Sequence, residues 1–81
     1  MKAHVYVTLK RTVLDAQGKT IADALRRMAY AGVADVRQGK YFLLTLEDGI
    51  DPTTAQIEVE RIAREVLINP VIEEFTFRIE P

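Results

Sequence analysis

Apolar and polar residues alternate along residues 2–10, and this pattern predicts a strand with one buried face. The apolar positions are Ala3, Val5, Val7 and Leu9, and the polar positions between them are His4, Tyr6 and Thr8. Residues 71–80 alternate in the same way and place Phe75, Phe77 and Ile79 on the inner face. Both ends of the chain are thus predicted to form half-buried strands.

Two stretches between these strands have a helical period instead. In the first, apolar residues recur at three- and four-residue intervals at Ile21, Ala24, Leu25, Met28 and Ala29. Gly32 is well placed to end this helix. Asp51 and Pro52 open the second helix as its N-cap and first-turn residue, and the Asn-Pro pair at 69–70 ends it. The buried stripe of the second helix is Ala55, Val59, Ile62, Ala63, Val66 and Leu67.

Residues 33–47 are rich in strand-forming residues and predict two strands joined by a turn at residues 38–40. A two-residue turn would place two charged side chains on the buried face. A three-residue turn with a glycine bulge instead places Ala34 and Val36 beside Phe42. The second register is favoured because it avoids burying those charges.

The element order βαββαβ predicts an α+β fold, a ferredoxin-like sandwich in which one four-stranded antiparallel sheet carries both helices on one face. The 81 residues predict a single domain, 1–81, of a size at which one core is only marginally stable. The absence of cysteine excludes disulfides and thiolate nucleophiles and is consistent with a cytoplasmic location. No apolar run is long enough to span a membrane. With 11 basic and 12 acidic residues, nucleic acid is not an expected partner.

The triplet Gly18-Lys19-Thr20 matches the last residues of the phosphate-binding loop motif. Such a loop needs a second glycine five residues before Gly18, so that backbone N–H groups can wrap the phosphates. That position holds Val13. The favoured interpretation is a turn at Gly18 followed by a helix whose N-cap is Thr20, with Asp23 reaching back to the cap.

Three other patterns favour structural over chemical interpretations. Tyr6 and Tyr41 could stack RNA bases on a sheet, but the sequence around Tyr41 lacks the spacing of the RNA-binding strand motif, which favours protein contacts. His4 is the only histidine and has no neighbouring motif, so an exposed or interfacial position is favoured over a catalytic base. The acidic pairs at 47–48 and 73–74 point to opposite strand faces and are expected to be solvated.

The predicted sheet face away from the helices is too apolar for comfortable exposure and too polar for a core. It carries His4, Tyr6, Thr8, Asp35, Arg37, Tyr41, Leu43, Thr45, Thr76 and Arg78. This mixture is typical of protein interfaces. We therefore predict a contact surface here, covered either by sheet-to-sheet dimerisation or by edge pairing through the last strand.

Three segments together resemble the PurS family, the small subunit of phosphoribosylformylglycinamidine synthase: VLDAQG at 13–18, DVRQGKY at 35–41 and NPVIEEF at 69–75. The similarity extends along the whole chain, although Ala16 stands where the family usually has proline. The resemblance implies a non-catalytic adaptor subunit of a cytoplasmic ligase of purine biosynthesis. That ligase converts formylglycinamide ribonucleotide to its amidine with glutamine and ATP.

The resemblance also implies the partners of the chain. They are a large synthetase subunit that uses ATP and magnesium, a glutaminase subunit that releases ammonia, and further copies of the chain in a dimer or tetramer. No catalytic residue, cofactor site or metal site is implied on this chain. The candidate interface residues are Tyr6, Arg11, Arg37, Lys40 and Tyr41. Lys40 and Tyr41 are expected at an exposed hairpin, and Arg11 in the loop 11–18.

A function of another class remains as the alternative. Amino-acid-sensing domains share the βαββαβ order, so the chain could be a stand-alone regulatory module that binds a small molecule. Such modules usually have glycine-containing loops at dimer edges and are fused to an enzyme. Stabilisation of the chain by one small molecule would favour the sensor, and the absence of any such effect would favour the adaptor.

Overall fold

The computed structural model describes all 81 residues and has three strands and two helices, which confirms the predicted α+β class. Helix α2 continues without a break into a π-helical turn, residues Ala63–Leu67. The elements in chain order are β1 (Lys2–Leu9), α1 (Ala16–Arg27), β2 (Gly39–Thr45), α2 (Pro52–Ile62) and β3 (Glu73–Glu80).

The sheet is antiparallel throughout, with β1 in the middle and the strand order β2-β1-β3. Tyr6 on β1 lies opposite Tyr41 on β2 and Thr76 on β3. The alternating residues of β1 behave as the sequence predicts, since its small apolar side chains are at most 1% exposed: Ala3, Val5 and Val7. This buried face is the one that packs against α2.

The predicted four-stranded sheet is replaced by a three-stranded one. Residues 33–38 form no strand, and the turn predicted at 38–40 is absent because β2 already begins at Gly39. A ferredoxin-like sandwich would pair this segment with the outer edge of β2, which is unpaired here. Asp35 and Arg37, which the sequence placed on the outer sheet face, consequently lie outside the sheet. The prediction of a fourth strand is therefore wrong for this chain.

Helix α1 and the segment that returns from it form an arm, residues 10–38, which projects beyond the sheet. The longest dimension of the molecule is 51 Å, whereas a strand of this length spans only about 27 Å. The radius of gyration is 16.1 Å, against about 12 Å for a compact domain of this size. No residue of α1 belongs to the hydrophobic core cluster. Helix α1 therefore does not cover the sheet, contrary to the prediction that both helices lie on one sheet face.

Asp15 holds the base of the arm together and is only 6% exposed. Its carboxylate accepts the N–H of Gly18 at 3.0 Å, which caps α1, and the N–H of Gln38 at 2.6 Å, which ties the returning segment to the helix. These two hydrogen bonds, that of Gly18 first, hold the pKa of Asp15 below its ordinary value. We call this arrangement of Asp15, Gly18 and Gln38 the Asp15 latch.

The latch corrects the predicted start of α1. The helix begins at Ala16, so Thr20 lies inside it and donates its hydroxyl to the carbonyl of Ala16 at 2.9 Å instead of capping the helix. Asp23 pairs with Lys19 at 3.1 Å and does not reach back. Asp15 takes the cap position because its two oxygens satisfy two backbone N–H groups at once. The Gly-Lys-Thr triplet is consequently helical, and no turn forms at its glycine.

The remaining helix ends follow local chemistry. Helix α1 ends at Arg27, and Ala29, at φ 69°, takes the left-handed conformation for which Gly32 was predicted. Asp51 caps α2 as predicted, since its carboxylate accepts the N–H of Thr54 at 3.1 Å. The end of α1 thus differs from the prediction by one turn, whereas the start of α2 is confirmed.

The core lies between α2 and the middle of the sheet. Val59 of α2 and Ala63 of the π-helical turn pack on the buried side chains of β1, and the largest fully buried residues of the molecule are valines. The large inward side chains of the outer strands are only half-buried: Phe42, Leu44, Phe75, Phe77 and Ile79. One helix therefore covers the middle strand and leaves the flanks of the sheet face partly exposed.

Glu73 joins the loop before β3 to the start of β2. Its carboxylate accepts the N–H of Asn69 at 2.8 Å and lies 3.1 Å from the ammonium of Lys40. The hydrogen bond from Asn69, followed by that from Lys40, holds the pKa of Glu73 below its ordinary value. The residue is only 9% exposed, so the solvated position predicted for it is wrong.

The Asp15 latch predicts that Gly18→Ala loosens the arm, although alanine has the higher helix propensity by about 1 kcal/mol. A Cβ at Gly18 would lie 2.6 Å from the Asp15 carboxylate and closer still to the carbonyl oxygen of Val36. We expect faster hydrogen exchange at the Gln38 amide, measured by NMR. Gly32→Ala is the control, because a Cβ there meets nothing within 4 Å. Equal exchange rates at Gln38 in the two variants would contradict this role of Gly18.

The contacts of Glu73 predict that the folding stability of the chain decreases at acidic pH. Because the pKa of Glu73 is lower in the folded chain than in the unfolded one, the carboxylate stabilises the fold above its unfolded-state pKa. That stabilisation is lost as the pH falls through the folded-state pKa. Glu73→Gln should therefore be less stable than the wild type at about pH 7 and lose less stability on acidification to about pH 3, measured by urea unfolding. The exposed neighbour provides the control: Glu74→Gln should behave as the wild type, and equal pH dependence in both variants would refute the assignment.

Candidate protein interface

The face of the sheet opposite α2 is uncovered and carries an aromatic cluster. Tyr6 and Tyr41 are paired across the β1–β2 register with ring centroids 5.4 Å apart, and the His4 ring lies 5.8 Å from that of Tyr41. Tyr6 is 41% exposed, Tyr41 53% and Leu43 48%. We call these four residues, His4, Tyr6, Tyr41 and Leu43, the open-face cluster. Its mixture of aromatic, apolar and polar groups is typical of protein interfaces.

His4 is held in this cluster by hydrogen bonds at both ring nitrogens. Nε2 lies 2.7 Å from the Glu80 carboxylate, and Nδ1 lies 2.6 Å from the Tyr41 hydroxyl. Since a carboxylate only accepts hydrogen bonds, Nε2 donates to Glu80. The His4 hydrogen bond and charge, followed by the charges of Arg78 and Lys2, lower the pKa of Glu80. The ring lines no cavity and is part of a surface.

The structure separates the candidate interface residues on the sheet. Tyr6 and Tyr41 lie together in the open-face cluster. Lys40 points to the opposite face because neighbouring residues of a strand alternate, and it pairs with Glu73 at 3.1 Å. No hairpin is formed there, so Lys40 and Tyr41 do not share an exposed tip, contrary to the prediction.

The two candidate arginines lie at the base of the arm. The guanidinium of Arg37 donates to the backbone carbonyls of Leu9, Lys10 and Val13 at 3.2, 3.1 and 3.4 Å. Arg37 thus closes the turn that leads out of β1, and its predicted place on the open sheet face is wrong. Arg11 is exposed and lines, with Arg37, a cavity of about 340 Å³.

A second uncovered apolar surface lies on the arm. Ile21, Leu25 and Met28 form one stripe of α1, which we call the arm stripe; Ile21 is 41% exposed, Met28 66%, and Leu25 is half-buried. Leu14 and Tyr30, at the two ends of the arm, are 73% and 55% exposed. The sequence pattern identifies this stripe correctly but cannot tell whether it faces its own sheet or another protein.

The cavities show no reactive arrangement of side chains. The largest, about 370 Å³, lies between the start of α1 and the start of β2. Its charged groups are already engaged, Asp15 by backbone N–H groups and Lys40 by Glu73. No three histidine, aspartate or glutamate side chains are grouped as a metal site would require. Neither helix combines the length and the apolar character needed to cross a membrane. The uncovered apolar surfaces are the prominent surface features of the molecule.

Comparison with known proteins identifies the family. Residues 2–81 match the model of the PurS family, described as phosphoribosylformylglycinamidine (FGAM) synthase. The chain is 43% identical over 79 residues to the phosphoribosylformylglycinamidine synthase subunit PurS of Mycobacterium leprae, covering 98% of this chain and 95% of that protein.

Solved structures agree with the family match. The structure of Bacillus subtilis PurS aligns with a TM-score of 0.80 at 41% identity, covering 99% of this chain and 98% of the other. A chain in the structure of PurLQS from Thermotoga maritima aligns with a TM-score of 0.85 at 32% identity, covering 95% and 93%. The resemblance noted in the sequence is thus confirmed, and the chain belongs to the PurS family of phosphoribosylformylglycinamidine synthase subunits.

Proposed function

We propose that this chain is a non-catalytic adaptor that joins the large synthetase subunit of phosphoribosylformylglycinamidine synthase to a glutaminase subunit and aids the transfer of ammonia between them. Membership of the PurS family makes the chain a subunit of this ligase, in purine biosynthesis. The bridging role and the ammonia transfer are the proposed part. The likeness to a chain of the Thermotoga maritima PurLQS assembly supports the proposal that this chain also acts within a complex of several subunits.

The balance of buried and exposed apolar side chains carries the proposal. Seven hydrophobic residues are buried, none larger than valine, whereas twelve large hydrophobic residues are exposed. More large apolar side chains are therefore exposed than fully buried, which is typical of a surface that other proteins cover. Copies of the same chain, in a dimer or tetramer, together with the synthetase and glutaminase subunits, would provide that cover.

The amino-acid composition supports a role in positioning the other subunits. Without cysteine the chain cannot supply the thiolate that attacks glutamine, so this nucleophile belongs to the glutaminase subunit. ATP and magnesium belong, in the same proposal, to the synthetase subunit. The adaptor contributes by holding two active sites in line, so that ammonia passes between them before it is lost to water.

The sensing-module alternative predicts binding of a small molecule by the isolated chain, and the adaptor proposal predicts none. The cavity of about 370 Å³ at the base of the arm is the place for such a ligand, but the side chains of Asp15 and Lys40 there are already paired within the chain. We expect no shift of the melting temperature in a thermal-shift screen with amino acids and nucleotides. A clear concentration-dependent rise with one of these compounds would favour the sensor instead.

The adaptor proposal predicts that Tyr41→Ala weakens assembly with the larger subunits and leaves the fold intact. Tyr41 is 53% exposed in the isolated chain, and tyrosines that become buried in interfaces often contribute tenfold or more to affinity, about 1.4 kcal/mol per factor of ten. At limiting concentrations of the variant, glutamine-dependent turnover of the reconstituted ligase should fall, and turnover with free ammonia should change little.

The matched control for this experiment is Gln56→Ala on the exposed surface of α2, which should keep full glutamine-dependent turnover. Arg37 is left unchanged, because it holds the base of the arm through three carbonyls. If Tyr41→Ala supported glutamine-dependent turnover with the concentration dependence of the wild type, the open-face cluster would not be the contact surface.

A further inference from the structure

We propose that Asp48 is a site of spontaneous covalent modification, where the aspartyl residue converts to isoaspartate through a succinimide formed with the nitrogen of Gly49. The site lies in the connection between β2 and α2, outside the open-face cluster and the arm stripe. In an Asp-Gly pair this reaction meets little steric resistance, because glycine has no side chain beside the attacking nitrogen. In a folded chain the reaction further requires that both reacting groups are accessible and unpaired.

The connection between β2 and α2 is an exposed turn. Both Asp48 and Gly49 are exposed. One hydrogen bond closes the turn, from the N–H of Ile50 to the carbonyl of Glu47 at 3.4 Å, and it is longer than the usual distance of about 2.9 Å. Gly49 has φ 83°, and a Cβ added there would meet nothing within 4 Å. The turn is therefore weakly held, with open space around the reacting groups.

The two reacting groups have no other partners in the chain. The N–H of Gly49 donates no hydrogen bond. The carboxylate of Asp48 accepts no hydrogen bond and forms no ion pair. No bond within the fold has to be broken before the nitrogen approaches the carboxyl carbon.

The reaction balances with water and protons as the only other participants. The nitrogen of Gly49 bonds to Cγ of Asp48, and one carboxylate oxygen leaves as water with the proton of that nitrogen and one proton from solvent. The product is a succinimide ring, in which the nitrogen is bonded to both carbonyl carbons of Asp48. Water then adds to the main-chain carbonyl carbon, and the bond between that carbon and the nitrogen breaks with release of a proton. The chain now runs through Cβ and Cγ, and its mass is unchanged.

Helix α1 protects two of the other aspartates. Asp15 is only 6% exposed, and its oxygens are held by the N–H groups of Gly18 and Gln38. Asp23 lies inside the helix, where the following N–H belongs to the helical hydrogen-bond ladder and is not free to attack. The carboxylate of Asp23 is also paired with Lys19 at 3.1 Å.

The remaining two aspartates are protected by the residue that follows each of them. The branched side chain of Val36 crowds the nitrogen after Asp35, and the N–H of Val36 points at a carboxylate oxygen at 2.9 Å. The nitrogen after Asp51 belongs to Pro52 and carries no hydrogen to lose. The one asparagine, Asn69, which could react in the same way, is also followed by proline. Exposure, an unpaired nitrogen and the absence of a neighbouring side chain therefore coincide only at residue 48.

The modification changes both the main chain and the charge at this turn. One more main-chain atom separates Glu47 from Ile50, so we expect the hydrogen bond that closes the turn to open. The α-carboxylate released at residue 48 is the group that isoaspartate methyltransferases esterify. The enzymes that act on such a site are accordingly carboxyl methyltransferases that use S-adenosylmethionine.

Incubation of the purified full chain tests the proposal. The folded wild type is kept at neutral pH for several weeks, and isoaspartate is measured by transfer of a labelled methyl group with an isoaspartate methyltransferase as the probe. We expect incorporation that rises with time and that proteolysis and mass spectrometry assign to the peptide containing Asp48. A form of this peptide lighter by one water should precede it. A folded chain without isoaspartate at Asp48, or with as much at Asp15 or Asp35, would overturn the proposal.

Two variants assign the reaction to this residue. Asp48→Glu keeps the charge but needs a larger ring, which forms far more slowly, so methyl incorporation should stay at the level of an unincubated sample. Asp35→Glu is the matched control at an exposed but protected aspartate, and it should be modified to the same extent as the wild type. Incorporation that persists in Asp48→Glu, or that disappears in Asp35→Glu, would contradict the proposal. Neither residue belongs to the hydrophobic core, so both variants should keep the circular dichroism of the wild type.

Discussion

The Asp15 carboxylate joins helix α1 to the segment that returns from it, and the arm that they form carries an uncovered apolar stripe. Asp15 binds the N–H groups of Gly18 and Gln38 and so joins the helix to the segment that returns from it. The returning segment does not pair with β2, and no residue of α1 belongs to the hydrophobic core. An uncovered apolar surface lowers the stability of a small isolated chain, because its apolar area remains in water. In a subunit of a larger complex, partner chains can cover such a surface.

The proposed function depends on the same uncovered apolar side chains. The fully buried residues of the core are valines and alanines, and twelve large apolar side chains are exposed in the isolated chain. Its charged groups in the cavities serve the fold, since Asp15, Arg37 and Glu73 each bind backbone atoms. The proposed function accordingly assigns the chemistry of the ligase to the larger subunits and the arrangement of those subunits to this chain.

The sequence predicts those parts of the fold that local pattern determines. Alternation along β1 and β3 and the Asp51 cap of α2 depend on neighbouring residues, and all three predictions are confirmed. The pairing of Tyr6 with Tyr41 on an open face also follows from alternation. The cap of α1 was mispredicted because the N–H of Gln38, one of the two groups that Asp15 binds, is 23 residues away in sequence. Residues 33–37 were mispredicted because an extended segment bound to a helix has the same period as a strand.

Hydrogen–deuterium exchange of the chain alone and in the reconstituted ligase tests the central claim, that this subunit acts through surfaces which other chains cover. The account predicts that amides of β2 and of α1 become protected on assembly, because the outer edge of β2 and the arm stripe are uncovered in the isolated chain. Amides on the exposed surface of α2 around Gln56 should exchange at unchanged rates. Assembly of an active, glutamine-dependent complex with no added protection in β2 or α1 would contradict the account.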